Sequence, residues 1–475
     1  MMIFEDQKGL PLSPETGVLV LAAGKGTRMH SPLPKVLQKL LDKPMLWYLL
    51  NTLNRTCSSR PMVVTGHGRS QVEDACSSFM ADFIYQERQL GTGHALQVAW
   101  DHINKRGFKW LMVLNGDTPL ISPQHIKALW EGVRDKDADV GFMSLELDDP
   151  GNYGRVIRSE DGRVKEVIEA RDFDADMHGQ DVSEVNSGLC AFRTSSLRKI
   201  LFELDSDNKQ NELYLTQLVS LAQKSGMNVE AVNAGRCSGL LGVNTPGELI
   251  LQEEYIRSCI VSKFVEQGVI IRSPDMVRIG PEVYIEPGSE ITGPVEIYGK
   301  SSISSLSRIF SHCYIEDSFI DGGQVFCFSH IVESVIDSHT RVGPYARLRP
   351  GTKMQKGSRA GNFVEIKNSS VGAGSKINHL SYIGDTVMGE EVNVGAGTIT
   401  CNYDGRAKHK TVIQDRVFIG SNTALVAPVV LQQKSMIAAG STITRDVPGE
   451  SLGIGRSRQK NLEGRSPLKN FDKND

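Results

Sequence analysis

A six-residue spacing of aliphatic residues in the second half of the chain constrains the possible fold more than any other feature. Every sixth position from Ile279 to Ile315 is isoleucine, and further runs with the same spacing continue to Ile443. Neither an α-helix, with about 3.6 residues per turn, nor the two-residue alternation of a strand gives this spacing. It is typical of a parallel β-helix, in which each hexapeptide forms one flat side and stacked coils share an apolar interior. We therefore predict a parallel β-helix over residues 268–456.

The spacing is interrupted in three places. It slips at Val332–Ile336 and at Val371, and it is lost over residues 389–410. Insertions into a solenoid emerge as loops on one face, and such loops can be plain structural decoration. The last interruption, however, includes the long polar stretch GAGTITCNYDGRAKHKT (395–411). The coils before it carry cationic, imidazole and phenol groups, at Arg349, Lys367, His379 and Tyr382. Chemistry of this kind on an otherwise uniform repeat indicates a functional site.

The first half of the chain alternates strand-like and helix-like segments. Strands are predicted at 18–21, 62–65, 82–85, 110–114 and 140–144, and helices at 44–54, 93–102 and 123–133. This alternation is typical of an α/β domain with a mostly parallel sheet, whose ligands bind at the carboxyl ends of the strands. We assign this domain to residues 17–245 and a linking helix to 246–267. Residues 1–16 are predicted to be a disordered extension, and 457–475 a polar tail.

A glycine-containing loop follows the first predicted strand, in LVLAAGKGTRMHSPLPKV (19–36). Small residues after a strand can mark only a tight turn. Alternatively, Gly24 and Gly26 let backbone N–H groups approach a phosphate, while Lys25, Arg28 and Lys35 supply positive charge. The loop lacks the third glycine of a dinucleotide-binding motif and the G-K-[ST] ending of a Walker A loop. A nucleotide site here must therefore be of another kind.

A second strand end, VLNGDTPLI (113–121), places Asp117 at the same edge of the predicted sheet. An aspartate there can cap a helix. It can also bind the Mg²⁺ that accompanies a triphosphate, because carboxylate oxygens are preferred ligands of that ion.

Composition narrows the class of protein. The formal net charge is −3, with 53 basic and 56 acidic residues, so overall attraction to nucleic acid or to an anionic membrane is not expected. The first sixteen residues do not resemble a signal peptide, and no apolar run reaches the length needed to span a membrane. The eight cysteines contain no C-x-x-C pair, which argues against a disulfide framework and a zinc site. We expect a cytoplasmic protein.

Several motifs resemble those of the bifunctional GlmU family over roughly residues 17–456. They are LAAGKGTRM, QLGTGH (89–94), DDPGNYGR (148–155), GPYARLRPG (343–351), GNFVEIK (361–367) and NVGAGTITCNYDG (393–405). The resemblance implies a Rossmann-like nucleotidyltransferase domain joined to a left-handed β-helix that forms a homotrimer. It also implies two activities, N-acetylglucosamine-1-phosphate uridyltransferase and glucosamine-1-phosphate acetyltransferase, with UTP and acetyl-CoA as co-substrates and Mg²⁺ as cofactor.

The resemblance assigns the uridyltransferase site residue by residue. UTP would contact Leu21, Ala22, Ala23, Gly24, Lys35, Gln86, Gly91 and Thr92. The sugar phosphate would be held by Gly154, Glu169 and Asn186, and Asn244 would serve both the nucleotide and, with Asp117, the metal. Arg28 and Lys35 would stabilise charge on the leaving pyrophosphate.

The resemblance also assigns the acetyltransferase site. Glucosamine 1-phosphate would contact Arg349, Lys367, Tyr382 and Asn393. Acetyl-CoA would contact Ala396, Asn402, Tyr403, Ser421, Ala439 and Arg456. A single histidine in a repeat is more often structural, but acetyl transfer requires a group that takes a proton from the substrate ammonium, and a neutral imidazole can do so. We therefore expect His379 to be the base.

Three residues depart from the family pattern: Asn115 where tyrosine is common, Gln217 where aspartate is frequent, and Leu241 where glutamate is usual. Two other functions remain compatible with the sequence. One is a monofunctional sugar-1-phosphate nucleotidyltransferase whose β-helix only oligomerises it. The other is a scaffold that kept the fold and lost its chemistry. His379 with its long loop argues against the first, and the retained Arg28, Lys35, Asp117 and Asn244 argue against the second.

Overall fold

A computed structural model describes residues 12–178, 182–466 and 468. Within them the chain divides into two compact units between Ile256 and Arg257. Most of the predicted extension 1–16 and the end of the predicted tail 457–475 lie outside the described residues. Leu12 is buried and bridges to Cys57, and the first strand begins at Thr16, so folded structure begins before residue 17.

The amino-terminal unit is built from alternating strands and helices. Its strands are β1 Thr16–Ala22, β2 Lys39–Leu40, β3 Lys43–Pro44, β4 Met62–Thr65, β5 Asp82–Tyr85, β6 Trp110–Asn115, β7 Val140–Glu146, β8 Arg155–Arg158, β9 Val164–Ile168, β10 Glu184–Arg193 and β11 Val229–Asn233. Its helices are α1 Met45–Thr56, α2 Arg69–Ala75, α3 Thr92–Arg106, α4 Pro123–Asp135, α5 Ala175–His178, α6 Thr194–Ile200 and α7 Gln217–Lys224, and α8 Pro246–Glu266 continues into the second unit. Short 3₁₀ turns lie at Thr27–Met29, Lys35–Leu37, Leu201–Glu203, Ser238–Leu240 and, in the second unit, Pro274–Met276.

The main sheet has the strand order β11-β7-β10-β6-β1-β4-β5, and off this path β8 pairs with β10 and β9 pairs with β8. All neighbours along this order are parallel except β10, which is antiparallel to both β6 and β7. β1 and β4 are almost entirely buried, as expected for sheet strands covered on both faces. The predicted α/β fold is confirmed. Because β1 and β6 are adjacent and parallel, the loops after Ala22 and Asn115 meet at one edge of the sheet.

The carboxy-terminal unit stacks short parallel strands into three sheets. The first contains Ile270–Arg272, Glu290–Thr292, Arg308–Ile309, Gln324–Val325, Arg341–Val342, Arg359–Asn362, Lys376–His379, Asn393–Val394, Phe418–Ile419, Met436–Ile437 and Leu452–Gly453. The second contains Val277–Ile279, Val295–Tyr298, Cys313–Glu316, His330–Val332, Arg347–Leu348, Glu365–Lys367, Tyr382–Gly384, Ile399–Cys401, Ala424–Val426 and Thr442–Ile443. The third contains Tyr284–Ile285, Ser302–Ile303, Phe319–Ile320, Ser334–Ile336, Thr352–Met354, Ser370–Val371, Thr386–Met388, Thr411–Ile413 and Val429–Leu431. This stack confirms the predicted β-helix and is consistent with the left-handed form.

The interior ladder of the β-helix is unbroken between Ile315 and Ile336, where the constant six-residue spacing stops and then resumes. Ile320, Val325 and Ile331 are fully buried and pair with core residues of the coils on either side. Ile297 pairs with Ile315, whereas Ile315 pairs with Ile331, so the second of these coils is two residues shorter. A corner of a coil can therefore be one residue shorter while the aliphatic residue of the adjoining side still lies in the core ladder.

Aromatic side chains stack along one corner of the β-helix. Phe328, Tyr345 and Phe363 follow one another on successive coils, with ring centroids 4.9 and 5.3 Å apart. Each has a positive φ of 55–61°, a conformation that costs a residue with a Cβ about 1–3 kcal/mol. Leu380 occupies the next corner with φ of 48°. The side chains of these four residues are exposed and form a continuous stripe.

Candidate functional sites

A cavity of about 570 Å³ lies at the carboxyl ends of β1 and β6. Its lining includes nine of the predicted site residues: Leu21, Ala22, Ala23, Gly24, Lys35, Gln86, Gly91, Thr92 and Asp117. Gln86 is buried and its amide Nε2 donates to the Gly91 carbonyl at 3.3 Å, which joins two parts of the wall. The lining also contains three polar residues that were not assigned to the site from the sequence: Gln89, Asn115 and Glu212. The cavity is large enough for a small-molecule ligand.

The two glycines of the loop after β1, Gly24 and Gly26, differ in whether the fold itself requires glycine at that position. Gly26 has φ of 62°, and a Cβ there would lie 2.5 Å from the Lys35 Cβ. Its lack of a side chain is therefore required by the fold. Gly24 has no positive φ, and a Cβ there would meet no atom within 4 Å. The fold does not require glycine at position 24, but a ligand close to this backbone would.

Four polar residues from distant segments converge beside this cavity. The Asn244 Oδ1 accepts hydrogen bonds from Arg28 Nη2 and from Lys35 Nζ, both at 3.0 Å. Lys35 also forms an ion pair with Asp117. Arg28 and Asn244 are not among the residues that line the cavity. The structure thus brings the proposed metal pair and both proposed catalytic cations into one cluster.

The loop that carries Asn244 is fastened on both sides. The backbone N–H of Val243 donates to the Asp117 carbonyl at 2.9 Å, and the hydroxyl of Tyr153 contacts both backbone groups of Gly242. In the first turn of α8, the Glu248 carboxylate accepts the N–H groups of Asn244 and Thr245, while the Thr245 hydroxyl accepts the Glu248 N–H. This reciprocal cap fixes Asn244 at the start of the helix.

The donor chemistry of Asp117 and Asn244 fits Mg²⁺. A carboxylate oxygen and an amide oxygen are both hard ligands, and both lie within hydrogen-bond reach of the same Lys35 ammonium group. The two oxygens therefore point at one location that a positive charge already occupies. In the described part of the chain, no group of three or more His, Cys, Asp and Glu side chains could hold a metal ion.

The three residues assigned to the sugar phosphate form a second group, which does not line the cavity. The backbone N–H of Asn186 donates to the Gly154 carbonyl at 2.8 Å, and its side-chain oxygen accepts the Gly188 N–H at 3.1 Å. Glu169 accepts a hydrogen bond from Thr216 Oγ1 at 2.8 Å. Burial raises the pKa of Glu169, and the hydrogen bond from Thr216 opposes this increase.

The three departures from the family pattern have different surroundings. Asn115 lines the cavity and its amide lies against Gly188, beside the proposed sugar-binding residues. Gln217 begins α7, where its Oε1 accepts the backbone N–H of Asp205 at 3.1 Å. Leu241 packs against the hydrophobic core. Of the three, Asn115 is therefore the one placed to contact a ligand.

The second candidate site lies on the β-helix, where three cations come together. Lys367 lies beside Lys408, and the close side-chain contact with Lys408 and its charge lower the pKa of Lys367, with a smaller contribution from Arg349. Arg349 also pairs with Glu365 at 2.9 Å. Mutual repulsion of this kind is relieved when an anion such as a phosphate binds among the cations. Lys408 was not assigned from the sequence, although the long insertion that contains it was singled out.

Asp385 connects this cation group to the insertion. Its carboxylate accepts hydrogen bonds from the side-chain amides of Asn368 and Asn402. Burial alone would raise the pKa of Asp385, but these hydrogen bonds and the charges of Lys367 and Lys408 outweigh it and lower the value. The ionised carboxylate therefore holds Asn402 against the coils.

The remaining acetyltransferase residues divide between the coils and the insertion. His379 ends a strand of the first sheet, Tyr382 begins the next strand of the second, and Asn393 lies one coil further along the first sheet. Successive coils place Ala396, Ser421 and Ala439 at one corner, where Asn422 N–H donates to Ala396 O and Gly440 N–H donates to Ser421 O. Arg456 Nη1 donates to the Ala439 carbonyl at 2.7 Å, whereas Tyr403 lies on the exposed insertion.

No helix in the described residues is both long and apolar enough to cross a membrane. All eight cysteines have free thiols.

Known proteins match both halves of this arrangement. The MobA-like NTP transferase domain matches residues 18–209. A bifunctional protein GlmU from Nitratidesulfovibrio vulgaris (strain Miyazaki F) is 47% identical over 451 residues, covering 95% of this chain and 98% of that protein. Those from Oleidesulfovibrio alaskensis and Lawsonia intracellularis are 46% and 44% identical, covering 94% and 95% of this chain and 97% and 98% of their own lengths. The chain therefore belongs to the bifunctional GlmU family.

Proposed function

We propose that this chain catalyses two successive reactions of UDP-N-acetylglucosamine synthesis. It acetylates glucosamine 1-phosphate with acetyl-CoA, and it transfers UMP from UTP to the resulting N-acetylglucosamine 1-phosphate. The observation that carries this proposal is that each compact unit has its own polar cluster, assembled from segments far apart in the sequence. Membership of the family supports both activities.

In uridyl transfer, a phosphate oxygen of N-acetylglucosamine 1-phosphate attacks the α-phosphorus of UTP, and pyrophosphate leaves. That oxygen is already ionised at neutral pH, so no general base is required. The cavity beside Gly24 receives UTP, and the group containing Glu169 and Asn186 receives the sugar phosphate. Arg28 and Lys35 stabilise the negative charge that develops on the leaving group.

Asp117 and Asn244 are the residues that would hold Mg²⁺. Their convergence on the Lys35 ammonium group supports this assignment. When bound, Mg²⁺ neutralises part of the triphosphate charge.

In acetyl transfer, His379 takes a proton from the ammonium group of glucosamine 1-phosphate. The nitrogen then forms a bond to the thioester carbonyl carbon and loses a second proton, the carbon–sulfur bond breaks, and coenzyme A leaves as the thiol with one of the two protons while the other passes to solvent. Arg349, Lys367 and Lys408 hold the substrate phosphate, because their mutual repulsion favours an anion among them. The substrate site also includes Tyr382 and Asn393. The acetyl-CoA site consists of Ala396, Asn402, Tyr403, Ser421, Ala439 and Arg456.

We further propose that the active form is a homotrimer in which the insertion around Tyr403 completes a site on a neighbouring subunit. Tyr403 is 61% exposed, and Asp404 braces the insertion internally by accepting the N–H groups of Arg406 and Ala407. An exposed but braced loop is suited to contact another chain. The cytoplasmic location stays a prediction.

The test supplies glucosamine 1-phosphate, acetyl-CoA, UTP and Mg²⁺, and measures free coenzyme A and UDP-N-acetylglucosamine separately. The unaltered protein is expected to form both products. Arg28→Ala should lower uridyl transfer by orders of magnitude while coenzyme A is still released. His379→Ala should slow acetyl transfer by about 10²–10⁴-fold, while supplied N-acetylglucosamine 1-phosphate is still converted. Uridyl transfer without any acetyl transfer by the unaltered protein would indicate a monofunctional enzyme. Equal loss of both activities in either folded variant would contradict two separate sites.

A further inference from the structure

We propose that Asn362 is a positioning residue for acetyl transfer, which fixes the orientation and the tautomer of the His379 imidazole. This inference rests on the proposed role of His379 as the base. Its direct support is the hydrogen bond between His379 Nδ1 and Asn362 Oδ1, whose atoms lie 2.6 Å apart.

The backbone places these two side chains together. Strands Arg359–Asn362 and Lys376–His379 are parallel neighbours, and Asn362 pairs with His379 in their register. Both strands end at these residues, because the next positions, Phe363 and Leu380, have φ of 56° and 48° and turn the corner. The Leu380 N–H also donates to the Asn362 carbonyl at 3.1 Å. The coil-to-coil register therefore sets the separation of the amide and the imidazole.

Close approach of the coils at this point depends on Gly361. A Cβ on Gly361 would overlap the carbonyl group of Asn378 on the next coil. With glycine at this position the strands pack without obstruction, and Asn362 lies at hydrogen-bond distance from the imidazole. Gly361 thus allows the close approach of the two coils, and Asn362 forms the hydrogen bond to His379 that this approach makes possible.

The hydrogen bond determines which imidazole nitrogen is available. An amide oxygen only accepts hydrogen bonds, so Nδ1 of His379 must carry the proton that it donates. A neutral imidazole has one N–H, which leaves the lone pair of Nε2 free to accept a proton from the substrate. Within the described residues, Asn362 is the one side chain bonded to this ring, while the Ser381 hydroxyl is bonded to the His379 backbone carbonyl.

A set of substitutions at position 362 distinguishes this role from packing. Asn362→Asp keeps the shape and offers only acceptors, so kcat for acetyl transfer should remain within about threefold of the original value. Asn362→Leu keeps a similar volume without an acceptor and should lower kcat about tenfold, as expected for one neutral hydrogen bond and some loss of orientation. The KM values for both acetyl-transfer substrates should change little, because Asn362 has no assigned contact with either. If packing mattered instead, Leu would be tolerated better than Asp.

Two controls complete the experiment. Asn378→Leu alters a neighbouring asparagine that is not bonded to the ring and should leave kcat unchanged. The double variant His379→Ala with Asn362→Leu should be no slower than His379→Ala alone, because Asn362 acts through the imidazole. Additive losses, or full activity of Asn362→Leu beside an inactive His379→Ala, would overturn the role of Asn362 and leave the proposed base intact. Full acetyl transfer by His379→Ala, or none by the unaltered protein, would overturn both.

Discussion

Replacing Gly24 by alanine should stabilise the fold and at the same time weaken the use of UTP, which would show that glycine at this position serves the nucleotide and not the fold. The position has no positive φ, and the added methyl group would meet no protein atom within 4 Å. Gly→Ala at a compatible position stabilises a protein by about 0.4–1 kcal/mol, mainly by restricting the unfolded chain. For a unit of this size the melting temperature should rise by about 1–4 °C.

The same methyl group points into open space beside the cavity that is assigned to UTP. It would keep a phosphate from approaching the backbone N–H groups of the loop. Losing one hydrogen bond to a charged group costs about 1.5–3 kcal/mol. At about 1.4 kcal/mol per tenfold change, kcat/KM for UTP should fall about 10- to 150-fold.

Gly26→Ala is the matched control, because it adds the same atom two residues away. Here the methyl group would lie 2.5 Å from the Lys35 Cβ, on a backbone with φ of 62°. The left-handed conformation alone costs about 1–2 kcal/mol, so the melting temperature should fall. Thermal unfolding and UTP titrations on both variants test the comparison, and acetyl transfer should be unchanged in each. An unchanged kcat/KM for UTP in Gly24→Ala, or a lowered melting temperature, would refute the assignment of Gly24 to the ligand.

Three further predictions address the metal, the sugar site and assembly. Chelation with EDTA should stop uridyl transfer, added Mg²⁺ should restore it, and acetyl transfer should continue; metal-independent uridyl transfer would exclude the role of Asp117 and Asn244. Burial raises the pKa of Glu169, so the fold loses stability as pH rises from the ordinary carboxyl range through the raised value. Glu169→Gln should therefore increase stability at neutral pH and raise the KM for the sugar phosphate, and an unchanged KM would remove Glu169 from the site. Deleting Thr400–Lys410 should abolish acetyl transfer, and mixing this variant with His379→Ala subunits should restore some of it; no recovery in verified mixed trimers would argue against a shared site.

The β-helix was predictable because its interior repeats a simple chemical requirement. Each flat side must supply one aliphatic residue to the core, and the isoleucines from Ile279 to Ile315 meet this requirement at a constant spacing. The continuation through Ile320 and Val325 was missed because each follows its predecessor by five residues. A search for a constant spacing of six residues finds the sides of regular coils. It misses a core residue that follows a corner shortened by one residue.

The functional residues were predictable to the extent that motifs carried them. Gly24 and Lys35 belong to one sequence stretch, whereas Glu212 reaches the cavity from a segment that none of the quoted motifs includes. Gln89 begins the quoted motif QLGTGH, but only the folded structure shows that it lines the cavity. Lys408 was missed as a site residue because only the folded insertion brings it beside Lys367. Composition and spacing describe the chain along its length, whereas these contacts depend on how loops close in three dimensions.

The varying coil length has a consequence for protein engineering. Thr400 pairs with Leu425, whereas Leu425 pairs with Ile443, so the coil that contains the long insertion is seven residues longer than the next one. Thr400, Leu425 and Ile443 nevertheless remain buried in a continuous ladder. Additional residues can therefore be inserted at a corner, and the packing of the core does not depend on the length of the inserted segment. Binding loops of foreign origin could be grafted at such a corner and displayed at intervals set by the strand spacing of about 4.8 Å.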